Sequence, residues 1–265
     1  MRVLLAQLAP VEGDPAANAA RLESALAAHD AQLAVFPELF LCGTSPAAWR
    51  AGALAPGAAP LRAVAAAAAR TGTAVIAGYA ERAGAVVHNA ALCVDADGTV
   101  AGVYRKTHLF GDAERAAFAP GDALLVAGLA GVRTAPLICF DVEFPEPART
   151  VAYAGARLLV TIAANFDPYG PDHELATRAR ALDNRLPHVY VNCPGAPFTG
   201  ESRAIAAGGA VLAACGGDEQ LLVCELEVAP STPADVDYLA HARGALRVTG
   251  SQLEIVQADG PRFTQ

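Results

Sequence analysis

Three residues of this chain pair a reactive side chain with a local sequence that would bring it to a strand end. Cys139 lies in Ala135-Pro-Leu-Ile-Cys-Phe-Asp-Val-Glu-Phe-Pro-Glu146, where an apolar run passes directly into polar residues and a helix start. A tight turn at that point exposes a sulfur and aims backbone N–H groups at an adjacent oxygen, as the nucleophile elbow of serine hydrolases does. Glu38 lies in Leu33-Ala-Val-Phe-Pro-Glu-Leu-Phe-Leu41, an acid flanked on both sides by apolar residues. Such a carboxylate is costly to bury without a partner and is suited to general-base work when it has one. Lys106, in Tyr104-Arg-Lys-Thr-His-Leu109, offers a compact positive charge for an oxygen that becomes negative during reaction. A thiol, a base and an ammonium are the parts of acyl transfer through a covalent thioester. Taken one at a time, the same residues also read as a core cysteine, a loop glutamate and a solvated lysine.

Other chemistries are poorly supplied. His108 stands close to Lys106 in the chain, and a cysteine–histidine pair using His108 or His173 remains a second enzymatic reading. The histidines are dispersed, with no two at ligand spacing, so no zinc or other metal is expected. Neither G-x-G-x-x-G after a strand nor G-x-x-x-x-G-K-[ST] occurs, so no dinucleotide or P-loop site is signalled. The formal net charge of −8 leaves no basic face for nucleic acid or an anionic membrane. No run approaches the roughly 20 apolar residues that span a bilayer. The opening MRVLLAQLAP reads as a buried strand and not as a signal peptide. Cys42, Cys93, Cys139, Cys193, Cys215 and Cys224 are scattered without a C-x-x-C pair, which predicts free thiols and a cytoplasmic protein.

The elements that must hold these residues alternate between helix and strand. Strands are predicted over 3–8, 33–36, 73–79, 86–94, 137–140, 157–163, 189–193, 204–213 and 221–228. Helices are predicted over 15–28, where Asp14 caps and proline opens the first turn, and over 61–70, 145–154 and 172–186. Asp95-Ala-Asp97-Gly98 and Gly208-Gly209 read as turns. The stretch between 98 and 137 reads mainly as loop, and the last 35 residues or so show little periodicity. At 265 residues with 54% hydrophobic content, one layered α/β domain over residues 1–265 is the expectation. Its mixed sheets would pack face to face with helices outside.

Taken together, FPELFLCG around Glu38, YRKTHLF around Lys106 and LICFDVEFPE around Cys139 resemble the nitrilase, or carbon–nitrogen hydrolase, family. GDAERAAFAPGD, the Ala164-Asn165-Phe166 segment, RARALDNR and FTGESR also resemble family elements. The resemblance implies an α/β, four-layer α-β-β-α sandwich that forms homodimers or higher homo-oligomers, with the segment from about 230 to 265 packing at the subunit interface. It implies no cofactor and no metal. By the same resemblance Glu38 is the general base, Lys106 stabilises the tetrahedral intermediate and Cys139 is the nucleophile. Glu114 orients Lys106 or assists with protons, and the Phe140 N–H completes the oxyanion site. Asn165 and Phe166 fall at the substrate pocket. Phe140, Phe166 and Asp183 depart from the tyrosine, tryptophan and glutamate common at those positions. The two aromatic changes keep a pocket wall, and the third is expected to weaken a structural hydrogen bond.

The function so implied is hydrolysis of the C–N bond of a small carboxamide to a carboxylic acid and ammonia. N-carbamoyl hydrolysis and nitrile hydrolysis use the same parts and remain alternatives, as does a non-enzymatic scaffold retained for protein interaction. Glu143, four residues after the proposed nucleophile, stands where relatives acting on ω-amides of dicarboxylic acids often have arginine. Glutamate there would repel a substrate carboxylate and favour a neutral or amine-bearing amide. The competing expectation for Glu143 is an internal pair with an arginine such as Arg149.

Overall fold

The computed structural model describes residues 1–228 and Leu239. In chain order the elements are β1 (Arg2–Gln7), α1 (Pro15–Ala28), β2 (Leu33–Val35), α2 (Pro46–Ala51), α3 (Ala59–Thr71), β3 (Ala74–Ala83), β4 (Val86–Val94), β5 (Val100–Arg105) and α4 (Gly111–Ala117). There follow β6 (Ala127–Leu129), β7 (Val132–Ile138), a single 3-10 turn (Cys139–Glu143), α5 (Pro145–Tyr153), β8 (Leu158–Ala163), α6 (Gly170–Asn184), β9 (His188–Asn192), β10 (Arg203–Ile205), β11 (Val211–Ala214) and β12 (Gln220–Glu225). One sheet runs β12-β1-β2-β3-β4-β5 and the other β11-β10-β9-β8-β7-β6. Parallel pairings sit at the centre of each, β1-β2-β3 and β7-β8-β9, and antiparallel strands at the flanks.

The period-two alternation of side chains sorts the core into layers. Leu4 and Ala6 of β1, Ala34 of β2 and Val75 and Ala77 of β3 pack with Leu22 and Leu26 of α1 and Val64 and Ala68 of α3. Their neighbours Val3, Leu5, Leu33, Val35 and Ile76 point the other way, against Ile138, Val160, Ile162, Val189 and Val191 of the second sheet. On that sheet's far face Leu137 and Leu159 meet Ala148, Val151 and Ala152 of α5. The result is the four-layer α-β-β-α sandwich. Helix α1 begins where Asp14 Oδ1 accepts the Ala17 N–H at 3.0 Å, with Pro15 following, and α3 ends on Gly72 in the left-handed region.

Several elements differ from the sequence expectation. The 98–137 stretch is not mainly loop, because it contains β5, α4 and β6. Strand β5 alternates weakly, VAGVYR, because it is a sheet edge buried chiefly at Tyr104, and no residue of α4 is fully buried. The strand predicted to include Cys139 and Phe140 stops at Ile138, since Cys139 takes φ +47° and opens the 3-10 turn. The turn expected at Gly208-Gly209 divides the 204–213 strand stretch into a hairpin of β10 and β11, with Ala206 N donating to Ala210 O across it at 2.8 Å. The segment from about 230 to 265, expected at a subunit interface, lies outside the described residues apart from Leu239.

Glycine at 78 is required by a close approach. A Cβ there would lie 2.3 Å from the Leu39 nitrogen, 2.5 Å from the Pro37 oxygen and 2.6 Å from the Glu38 Cα. The bare backbone of β3 instead bonds the segment directly: Gly78 N donates to Pro37 O at 3.1 Å, and Leu41 N donates to Gly78 O at 2.9 Å. Gly78→Ala must push the Glu38 segment off the sheet, and we expect a loss of about 1–3 kcal/mol in folding stability. Urea denaturation of the variant checks this, and an unchanged midpoint would show that the segment can shift freely.

Candidate active site

Residues predicted to act together follow the carboxyl ends of strands in both sheets, the position at which open α/β sheets bind ligands. Glu38 comes three residues after β2, Lys106 directly after β5, Cys139 directly after β7, and Ala164 directly after β8. Leu39, next to Glu38, and Cys139 both take positive φ, +56° and +47°, a region that side-chain-bearing residues seldom occupy. Both segments therefore turn sharply where they present a reactive group.

Lys106 and Glu38 are almost fully buried, at 1% and 2% exposure. Lys106 Nζ donates to Glu38 Oε1 at 2.8 Å and to Glu114 Oε1 at 2.8 Å. Glu38 is further fixed by Asn89 Nδ2 at 2.7 Å on Oε1 and the Ala164 N–H at 2.8 Å on Oε2. The second oxygen of Glu114 accepts the Phe110 N–H at 2.8 Å. Burial alone would lower the Lys106 pKa, but the negative charges of Glu38 and Glu114 outweigh it and hold the ammonium charged. Glu114 is shifted upward, first by burial and then by the neighbouring Glu38, against the pull of Lys106.

Cys139 is partly exposed and free. Its thiol is pushed well above the ordinary range, chiefly by burial and then by the Glu38 charge, with Lys106 opposing. It therefore rests as a thiol at neutral pH. The Phe140 N–H follows it in the first turn of the 3-10 segment, where amides lack intrahelical acceptors. A narrow cavity opens on Cys139, walled by Phe110, Phe140, Phe166 and Tyr169. These rings meet edge to face, with centroids 5.3 to 5.9 Å apart for the contacts of Phe110 with the other three. Glu143, Asn165 and His173 complete the lining.

Glu143 does not pair with Arg149. Arg149 Nη2 donates to the Asp183 carbonyl at 2.8 Å, and the Glu143 carboxylate lies 3.2 Å from His173 Nε2. Asp183 keeps a role near its helix end, with Oδ2 3.3 Å from Arg180 Nη1. His108 is committed elsewhere, with Nδ1 2.9 Å from Asp141 Oδ1 and its ring stacked on Phe144 at 4.1 Å. Among the described residues, no group of three or more His, Cys, Asp or Glu side chains gathers as metal ligands would.

Sequence reasoning passed over Asn89 and Asp141. Asn89 sits in a regular strand, where a polar residue with no local signal reads as an exposed face. Asp141 is fully buried. It accepts from Tyr104 Oη at 2.7 Å, Thr107 Oγ1 at 2.8 Å, the His108 N–H at 2.9 Å and the Ile138 N–H at 3.0 Å. One carboxylate thus ties the residues flanking Lys106 to those flanking Cys139. A buried acid two residues after the cysteine was the available signal.

The chain belongs to the carbon-nitrogen hydrolase family, whose pattern it matches over residues 2–234. An (R)-stereoselective amidase of a Pseudomonas species is 39% identical over 272 aligned residues, spanning 99% of this chain and 97% of its own. Among solved structures, the amidase from Nesterenkonia sp. AN1 superposes with a TM-score of 0.81 at 29% identity, over 92% of this chain and 94% of its own. One variant of that enzyme shows covalent addition of the acetamide moiety of fluoroacetamide at its active-site cysteine, and another is in complex with butyramide.

Burial opposes ionisation of Asp141, but the bonds from His108, Tyr104 and the Ile138 N–H prevail and hold its carboxyl below the usual range. A depressed folded pKa contributes stability that is fully present above the unfolded value, near pH 4, and is lost as pH falls through the folded one. Asp141→Asn should therefore cost roughly 2–3 kcal/mol at neutral pH, with the gap to the parent protein narrowing below about pH 4. Denaturant midpoints across pH check both, and a gap independent of pH would mean that the ionised form is not what the contacts require.

Proposed function

We propose that this protein is an amidase that hydrolyses a small carboxamide to a carboxylic acid and ammonia through a thioester on Cys139. The observation that carries the reading is Lys106 buried against two carboxylates beside a cavity that opens on the Cys139 thiol.

Because the thiol rests protonated, attack needs a base, and Glu38 fills that role. Glu38 takes the proton as sulfur bonds to the carbonyl carbon, and the carbonyl π electrons move to oxygen. Lys106 and the Phe140 N–H stabilise that oxyanion. Collapse expels the amide nitrogen, which receives the proton from Glu38 and leaves as ammonia. Glu38 then takes a proton from water, whose hydroxyl attacks the thioester, and a second collapse releases the acid and returns the thiol. Glu114 positions Lys106 and balances its charge. Asn165, buried and lining the cavity beside Cys139, is suited to bind substrate. The aromatic side chain of Phe166 forms part of the acyl wall.

A cytoplasmic setting is supported by cysteines that are all free among the described residues. No helix among the described residues is long and apolar enough to cross a membrane. Tyr153, Leu175 and Leu182, exposed at 57%, 71% and 40% on α5 and α6, support association into a homodimer or larger homo-oligomer.

Intact-mass spectrometry during turnover of simple amides should detect an acyl adduct that maps to Cys139 and is absent in Cys139→Ala. Glu38→Gln should lower kcat by about 10²- to 10⁴-fold, and Lys106→Ala by about 10²- to 10³-fold. Undiminished acylation in Glu38→Gln would assign the base elsewhere and overturn the mechanism.

A further inference from the structure

Building on the amidase reading, we propose that Glu143 and the aromatic walls select carboxamides that carry a protonated amine. Of the cavity's lining residues, Glu143 supplies the carboxylate and none is lysine or arginine. The arginines packed nearby bond to other groups. Arg180 donates to the main-chain oxygens of Val142 at 3.1 Å and Glu143 at 2.9 Å, and Arg149 donates to that of Asp183.

Among the described residues the group beside the Glu143 carboxylate is His173 Nε2, 3.2 Å from Oε1. The histidine is 2% exposed, and its other nitrogen lies 3.1 Å from the Tyr190 hydroxyl. A hydroxyl donated to Nδ1 leaves Nε2–H facing Glu143, so one imidazole tautomer satisfies both contacts. Glu143 itself is 31% exposed and faces the cavity, which leaves Oε2 available to a ligand. With aromatic walls around a single carboxylate, this lining is suited to an ammonium group and repels a carboxylate.

Cys139 and Glu143 open and close one short 3-10 segment and line the same cavity, so the nucleophile and the carboxylate face one bound substrate.

The test compares three amides of matched length: β-alaninamide, its uncharged isostere butanamide, and the anionic succinamate. The expected result at pH 7 is a kcat/KM for β-alaninamide at least tenfold above butanamide, with succinamate lowest. Glu143→Gln should collapse the β-alaninamide-to-butanamide ratio to near one, and Glu143→Asp should retain part of it. The ratio is taken within each protein, so a general loss of activity cancels. Should a variant be too slow to assay, the same ratio is read as affinity by calorimetry in a Cys139→Ala background. Equal rates on β-alaninamide and butanamide, preference for succinamate, or an unchanged ratio in Glu143→Gln would overturn the proposal while leaving the amidase reading intact. Hydrolysis of none of these or of a broader amide panel would overturn the amidase reading and this proposal with it.

Discussion

A lysine ammonium out of contact with water is the constraint around which the rest of this molecule is arranged. Isolated, such a charge would cost several kcal/mol or would shed its proton. Lys106 does neither, because Glu38 and Glu114 each approach it within 2.8 Å. Those acids in turn need donors, and the chain supplies Asn89 Nδ2, the Ala164 N–H and the Phe110 N–H. The satisfied cluster draws on β4, β5, α4, the end of β8 and the loop after β2. Two sheets that a purely apolar interface would let slide are thereby fixed in register at one end.

Backbone contacts supply what side chains alone cannot. Gly78 lets the Glu38 segment lie directly on β3, and Asp141 bonds Tyr104, Thr107, His108 and Ile138 at once. The distance between ammonium and thiol is therefore held by a carboxylate that belongs to neither. Glu38, Lys106 and Cys139 could not stay together if any one loop were free to move, since each follows a different strand.

Much of this was legible because strands and helices carry their own periodicity. The layers follow from residues such as Val3, Leu4, Leu5 and Ala6, whose alternation assigns each to one face. The cluster was legible as three motifs, because an acid inside FPELFL and a cysteine where an apolar run turns polar are locally unusual. What stayed hidden has no local signature. Asn89 looks like any polar residue of a strand until Glu38 is placed opposite it. Glu143 pairs with His173 from α6 and not with Arg149 six residues on in α5, a choice made by helix packing and not by sequence distance. Helix α4 carries Glu114 with no residue fully buried, so its hydrophobic pattern is too weak to read.

The electrostatics also explain why a base so close to a lysine is useful. Lys106 would by itself favour a thiolate, but burial, reinforced by the Glu38 charge, keeps the thiol protonated. In the proposed reaction the proton passes from sulfur to Glu38 while negative charge passes through sulfur to the substrate oxygen. The cluster's net charge is the same before and after that step. No ion has to be created in a dry site, and the Lys106 ammonium exchanges one anionic partner for another. A resting thiolate beside Lys106 would be the weaker design, for its charge would already be stabilised in the ground state and the barrier to attack would rise accordingly.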